Sequence, residues 1–209
     1  MKSKREKSVN FYFQSLEKQN ELYLPGIFWK DVLHELGNYY IEYGIENFRN
    51  FNTSLSFFVP NYGTPTNGFP EEKLTEINSL ISEKLNFKQL NFIENSLSGY
   101  SQALSDYRVF SASNAINDKL DLTKFSESAV GNPKEFFEFA GKRFSRSSLN
   151  YLLGLSFLKK NIADFAPKTI LEIGGGFGTL GEIFGKSNFK SFKYINVDLP
   201  PMFLISEAY

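Results

Sequence analysis

The 209 residues carry 23 Lys plus Arg against 23 Asp plus Glu, a formal net charge of zero, so no basic field points to nucleic acid or to an anionic membrane surface. Apolar residues make up 42% and charged residues 22%, a globular rather than a disordered composition with chain enough for one or two domains. Cysteine is absent, which removes disulfides, thiolate metal sites and a cysteine nucleophile and suits a reducing cytoplasm.

The first ten residues, "MKSKREKSVN", are basic, and no apolar segment of signal-peptide type follows. They read as a short tail without structure. No run is long enough to span a bilayer. Residues 11–130 read as a helical N-terminal region. "FWKDVLHELGNYYIEYG" places Phe28, Val32, Leu33 and Leu36 at helical spacing, and Pro25-Gly26 interrupts the segment before it. "FNTSLSFFVPNYGTPTNGFP" is a loop rich in Asn, Gly and Pro, in which "SFFV" fits a short strand. Pro70 and the acids after it open a helix with Leu74, Ile77, Leu80, Ile81 and Leu85 on one stripe. A further helical stretch runs through "FIENSLSGYSQALSDYRVF".

Residues 131–166 read as helices leading into a second region. Asn132, Pro133 and Glu135 fit the N-cap, N1 and N3 positions of a helix. Ser147 or Ser148 fits the cap of the next, which carries Leu149, Leu152, Leu153 and Leu158 and ends near "KKN". Residues 167–209 follow a different pattern. "KTILEI" is a buried strand, "GGGFG" a glycine turn, "TLGEIFG" the start of a helix, and "YINV" a second strand ending in Asp198. Strand, glycine turn and helix form the first half of a nucleotide-binding βαβ unit. An acid at the end of the second strand, about 20 residues past the glycines, is placed to accept hydrogen bonds from ribose hydroxyls. Gly176, Gly178 and Gly181 also spell G-x-G-x-x-G, so an NAD-dependent oxidoreductase is the rival reading. Glu172 at the strand end opposes it, because a carboxylate beside a pyrophosphate is unfavourable, whereas a ligand with ammonium and sulfonium centres welcomes one.

"LEIGGGFG" is similar to the first motif of class I S-adenosylmethionine-dependent methyltransferases, and "YINVDLPP" resembles their strand-two motif. Together with "VGNP" and "FSRSSLNYLLGLSFL", the last eighty or so residues resemble, more narrowly, bacterial sugar O-methyltransferases. The resemblance implies an α/β fold: a mainly helical N-terminal region, then the first βαβ unit of a Rossmann-like domain. It implies S-adenosyl-L-methionine as cofactor and a sugar or glycan-precursor hydroxyl as acceptor. Glu172 then serves the methionine part, Gly174, Gly175 and Gly176 form the turn beneath it, and Gly178 lets the helix pack closely. Asp198 holds the ribose and Leu199 lies against the adenine. The family's sheet usually has seven strands and only two are visible. The chain is therefore expected to be an N-terminal portion, poorly active alone, whose sheet is completed by a missing C-terminal portion or by association with a second copy. A third reading is an inactive helical binding or assembly module.

No general base is identifiable. His34, the only histidine, reads as a half-buried helix residue, and no second histidine completes a metal site. Arg143 and Arg146 read as a solvated helix end, with a reach toward the cofactor carboxylate as the functional alternative. Trp29 reads as a core anchor.

Overall fold

The computed structural model describes residues 1–51, 71–113, 120–133, 136–189 and 191–209. Pro70, Glu135 and the "SFFV" segment lie outside them. The fold is mixed α/β, mostly helical with a few short strands. In chain order the helices are α1 (Lys2–Glu17), α2 (Ile27–Tyr43), α3 (Glu71–Ile81), α4 (Phe87–Leu97) and α5 (Tyr100–Ser113). A hairpin of β1 (Phe137–Phe139) and β2 (Lys142–Phe144) precedes α6 (Arg146–Asn161), and β3 (Thr169–Ile173), α7 (Thr179–Lys186), β4 (Lys193–Val197) and α8 (Met202–Ala208) close the order. Among the described residues no helix is long and apolar enough to cross a membrane.

The basic N-terminus is helical, not a tail without structure. Two of its cations, Lys2 and Arg5, have partners at the negative end of α2. Arg5 donates to the carbonyls of Ile41 and Glu42, both at 3.0 Å, and Lys2 pairs with Glu42. These carbonyls are left over at the end of α2, and cations there complement the helix dipole. Farther along, Val9 is buried beside Gly37, where the lack of a side chain lets α1 and α2 approach.

The helical stretch before residue 113 is divided in two. Gly99, at φ 79°, takes a left-handed turn between α4 and α5. Asn86 and Gln89 form a reciprocal cap at the start of α4.

A β-hairpin stands where a helix was expected after Pro133. Asn132 has φ 48°, left-handed rather than the extended backbone of a cap residue. Phe137, Glu138 and Phe139 alternate with period two and pair antiparallel with Phe144, Arg143 and Lys142. Ala140 and Gly141, at φ 50° and 70°, make the two-residue turn whose twist suits paired strands. Phe139 and Phe144 enter the core. The helix that follows is capped by Ser145, one turn earlier than Ser148. Ser148 sits at N3 and returns the bond.

Strands β3 and β4 lie parallel, with Thr169 opposite Lys193 and Ile173 opposite Val197. On one face Ile170 packs into the larger core cluster, formed by α5, residues 120–125, the hairpin, α6 and α7. A smaller cluster joins Leu33 and Leu36 of α2 to Phe48, to Phe177 of the glycine turn, and to Met202 and Ile205 of α8. This second cluster seats the N-terminal helices over the carboxyl ends of β3 and β4. Tyr12 of α1 meets Phe203 of α8 edge to face, with centroids 4.2 Å apart.

Candidate functional site

The glycine turn begins where β3 ends. The Gly174 N–H donates to the Val197 carbonyl at 2.8 Å, extending the parallel pairing by one bond. Gly174 and Gly176 then take left-handed backbone, φ 73° and 59°, which costs a residue with a Cβ roughly 1–2 kcal/mol. The turn brings the Gly176 N–H to the Asp198 carboxylate, which accepts it at 2.7 Å. Asp198 therefore lies at the same end of the two strands as the glycines, as parallel pairing of β3 and β4 requires.

Asp198 also accepts the Leu199 N–H at 2.7 Å through its other oxygen. Each oxygen thus has one fixed donor and keeps acceptor capacity for another. Burial raises the Asp198 pKa above its ordinary range; the two N–H donors oppose this, and the Glu172 charge adds to it.

A cavity of about 160 Å³ opens beside this contact. Gly174, Gly176, Asp198 and Leu199 form one side. Trp29 and Leu33, one helical turn apart on α2, form the other, with Met202 between. Sequence reasoning missed all three of these. The i, i+4 spacing of Trp29 and Leu33 was visible, but it reads equally well as core. In the structure Trp29 is half-buried, packs against the smaller core cluster as expected, and also lines the cavity beside the glycine turn. The wall opposite Asp198 is therefore supplied by α2.

Glu172 is not on the cavity wall. It is held on the other side of the turn, where Tyr151 of α6 donates to one carboxylate oxygen at 2.8 Å and Tyr194 of β4 donates to the other. Burial and this carboxylate acceptor raise the Tyr194 pKa, keeping the phenol protonated. A Cβ at Gly175 would stand 2.6 Å from Glu172 Oε2 and 2.6 Å from Asn196 Oδ1. Gly175 thus packs down onto the carboxylate, while Gly174 faces outward with nothing within 4 Å of its Cβ position. Close packing of α7 on β4 belongs to Gly181, whose Cβ would meet the Tyr194 ring at 2.7 Å. Gly178, with 3.5 Å to Ser206, has ordinary room and is required instead by its φ of 96° at the N-cap of α7.

Neither Arg143 nor Arg146 lines the cavity. Arg146 is buried with its Nε 3.5 Å from Asp106 of α5, and Arg143 lies over the Phe136 ring. His34 is exposed rather than half-buried and stacks on Phe13 at 4.6 Å. Arg49, which sequence reasoning passed over, is the most embedded arginine near the turn. It pairs with the buried Glu127 and lies over the Phe177 ring at 4.8 Å.

The residues present could hold a nucleoside. Asp198 offers two acceptor positions to a vicinal diol, and Trp29, Leu199 and Met202 offer apolar surface to a planar base. The exposed backbone at Gly174 leaves room for a substituent to continue past the cavity, which at about 160 Å³ encloses only part of such a molecule. Among the described residues no group of three or more Asp, Glu or His is placed to hold a metal ion. No family model, no curated protein and no solved structure matches the chain.

Proposed function

We propose that β3, α7 and β4 are the first βαβ unit of a Rossmann-like class I methyltransferase domain and that the protein transfers a methyl group from S-adenosyl-L-methionine to a hydroxyl of a sugar or glycan precursor. The observation that carries this reading is the contact between the Gly176 N–H and the Asp198 carboxylate. It supports the reading because a carboxylate against a glycine turn at the ends of parallel strands is where a ribose would be held. Asp198 would serve the ribose of a dinucleotide equally well, and Glu172 is turned away from the cavity, so the titration of the two cofactors is what separates this reading from a dinucleotide-dependent oxidoreductase.

Asp198 would hold the ribose, Leu199 and Trp29 would enclose the base, and the Gly174–Gly176 backbone would support the amino-acid part. Glu172 acts through Tyr151, Tyr194 and Gly175 and fixes the shape of the turn. Bound S-adenosyl-L-methionine would supply an electrophilic methyl on sulfur, whose transfer to the acceptor oxygen would leave S-adenosylhomocysteine and release the hydroxyl proton to water. The protein's contribution is mainly orientation, which can lower such a barrier by roughly 7–11 kcal/mol. Calorimetric titration tests the reading: S-adenosylhomocysteine binds and NAD does not. Binding of NAD alone overturns it in favour of the oxidoreductase, and binding of neither leaves the chain a helical assembly module.

A further inference from the structure

Phe177 carries the only side chain in the run from Gly174 to Gly178, and it is buried. It packs in the smaller core cluster beside Leu33 and Met202, which also line the Asp198 cavity. The Arg49 guanidinium lies over the Phe177 ring at 4.8 Å, and the Tyr209 ring meets it edge to face with centroids 5.5 Å apart. Arg49 and Tyr209 are themselves joined. Arg49 Nη1 donates to the Tyr209 hydroxyl and to the Ser128 carbonyl, both at 3.4 Å, while Nη2 pairs with Glu127. Burial raises the Tyr209 pKa, so the phenol stays protonated and donates to Glu182 Oε2 at 2.5 Å. Glu182 lies on α7, the helix that opens at Gly178, and its other oxygen accepts from the Ser128 N–H at 2.7 Å and from Lys186 at 2.6 Å. Tyr209 also closes the last turn of α8, its N–H donating to the Ile205 carbonyl at 2.9 Å. At its other end α8 carries Met202 of the cavity wall.

We propose that Arg49 and Tyr209 are positioning residues for the Asp198 cavity: through Phe177 they fix the glycine turn, and through α8 they fix the wall that carries Met202. The proposal rests on the reading of that cavity as the S-adenosyl-L-methionine site. Neither residue lines the cavity, so both act through others. The physical need for them comes from the turn. Gly176 and Gly178, at φ 59° and 96°, flank Phe177, and glycines leave a segment more conformational freedom than any other residue. The direction of the Gly176 N–H, which holds Asp198 at 2.7 Å, therefore depends on what restrains the Phe177 ring. A planar guanidinium suits this place, because it covers an aromatic face while its fork bonds two partners at once.

The test uses the full chain. Amide hydrogen exchange followed by NMR reads Gly176, with Leu36 and Leu152 as markers of the smaller and larger core clusters. Calorimetry with S-adenosylhomocysteine reads the cavity. Tyr209→Phe keeps the ring on Phe177 and removes the hydroxyl between Arg49 and Glu182. The expected result is a Gly176 amide that exchanges about tenfold faster and an affinity about tenfold weaker, the scale of a lost hydrogen bond to a charged group, with Leu36 and Leu152 unchanged. Arg49→Lys acts in the same direction, and Tyr209→Phe decides the matter where that variant does not fold. Tyr39→Phe removes another phenol at the same cluster, one that donates to the Asn47 carbonyl at 3.3 Å, and alters neither readout. A Gly176 amide that is unchanged in Tyr209→Phe, or that quickens only in step with Leu36, overturns the proposal. So does a quickened Gly176 with undiminished affinity, or an equal effect of Tyr39→Phe; each of these leaves the methyltransferase reading standing as long as the parent chain binds S-adenosylhomocysteine. A parent chain that does not bind it overturns that reading and the positioning role with it, whatever Gly176 does.

Discussion

The Asp198 carboxylate accepts the Gly176 N–H at 2.7 Å across the ends of two parallel strands, and its second oxygen is held by Leu199. Both oxygens are thereby fixed in orientation before any ligand arrives. Replacing Asp198 by Asn keeps the volume but gives one oxygen's place to an N–H₂ group, which confronts a backbone donor and offers no charge to a diol. Affinity for S-adenosylhomocysteine is expected to fall about 10- to 100-fold, the range for losing charge-assisted hydrogen bonds. Calorimetry checks it; an unchanged affinity removes Asp198 from the site.

The same carboxyl predicts a pH dependence. Hydroxyls donate to the ionised form, and burial sets the Asp198 pKa above its ordinary 3.8. Affinity therefore declines as pH falls through that raised value, tending to about tenfold per pH unit below it. The unliganded fold responds in the opposite sense. The folded state holds this proton more tightly than the unfolded chain does, so the group's contribution to stability is present at low pH and diminishes as pH rises from 3.8 through the raised value. Affinity that stays constant from neutral pH down to 3.8 contradicts this account.

Two glycines of the same region should respond oppositely to alanine. At Gly175 a Cβ would stand 2.6 Å from Glu172 Oε2, and that carboxylate is held in place by Tyr151 and Tyr194. Gly175→Ala is expected to destabilise by about 1–3 kcal/mol, as overpacking does. Gly185 lies within α7 with nothing within 4 Å, so Gly185→Ala gains up to about 1 kcal/mol of helix propensity. Thermal unfolding of the two variants decides it, and equal melting temperatures refute the packing argument.

The βαβ unit was legible because its signals are local. The apolar run of Ile170, Leu171 and Ile173, the glycines and the acid at position 198 lie within one short segment; the run marks a strand, but Leu171 and Ile173 are exposed and not buried as expected, because only the Ile170 face is packed against the core. The cavity's second wall was not legible, because Trp29 and Leu33 lie about 140 residues upstream in sequence and their spacing states only that one helix face is covered, not by what. The hairpin was misread because Asn132-Pro133 is a strong local helix signal, and it outweighed the weaker alternation of "FEF". Glu172 was expected beside the methionine part of a cofactor; its carboxylate is instead turned to Tyr151 and Tyr194, whose nearness no spacing rule reveals.

A buried ion pair anchors the segment after α2 to the segment that precedes the hairpin. Arg49 and Glu127 are both almost fully buried, and the Glu127 carboxylate also accepts the Ser145 N–H at 2.6 Å. Glu127→Ala strands a guanidinium in the interior, and the expected loss is about 3–5 kcal/mol. The exposed Lys2–Glu42 pair offers the contrast: Glu42→Ala is expected to cost about 1 kcal/mol or less. Denaturant midpoints compare the two, and similar values for both variants show that burial is not what makes the Arg49 pair matter.

The last prediction concerns the uncovered face of the parallel strands. Ile170 and Tyr194 face the core side, so the alternate residues face the other way. Leu171 is 60% exposed, Ile173 79% and Val197 49%. Strands that are adjacent and parallel are ordinarily covered on both faces, because their crossover connections place helices there. Here α6 and α7 cover one side only, and three aliphatic side chains remain together on the other. Such a patch favours association. Leu171→Thr combined with Ile173→Thr keeps a β-branched or strand-compatible residue at each position while removing apolar surface. The double variant is expected to stay monomeric over a concentration range in which the parent protein gains mass, with a similar melting temperature because neither side chain contributes to the core. Light scattering across a dilution series measures it. A parent protein that is already monodisperse and monomeric at high concentration shows that this face does not drive association.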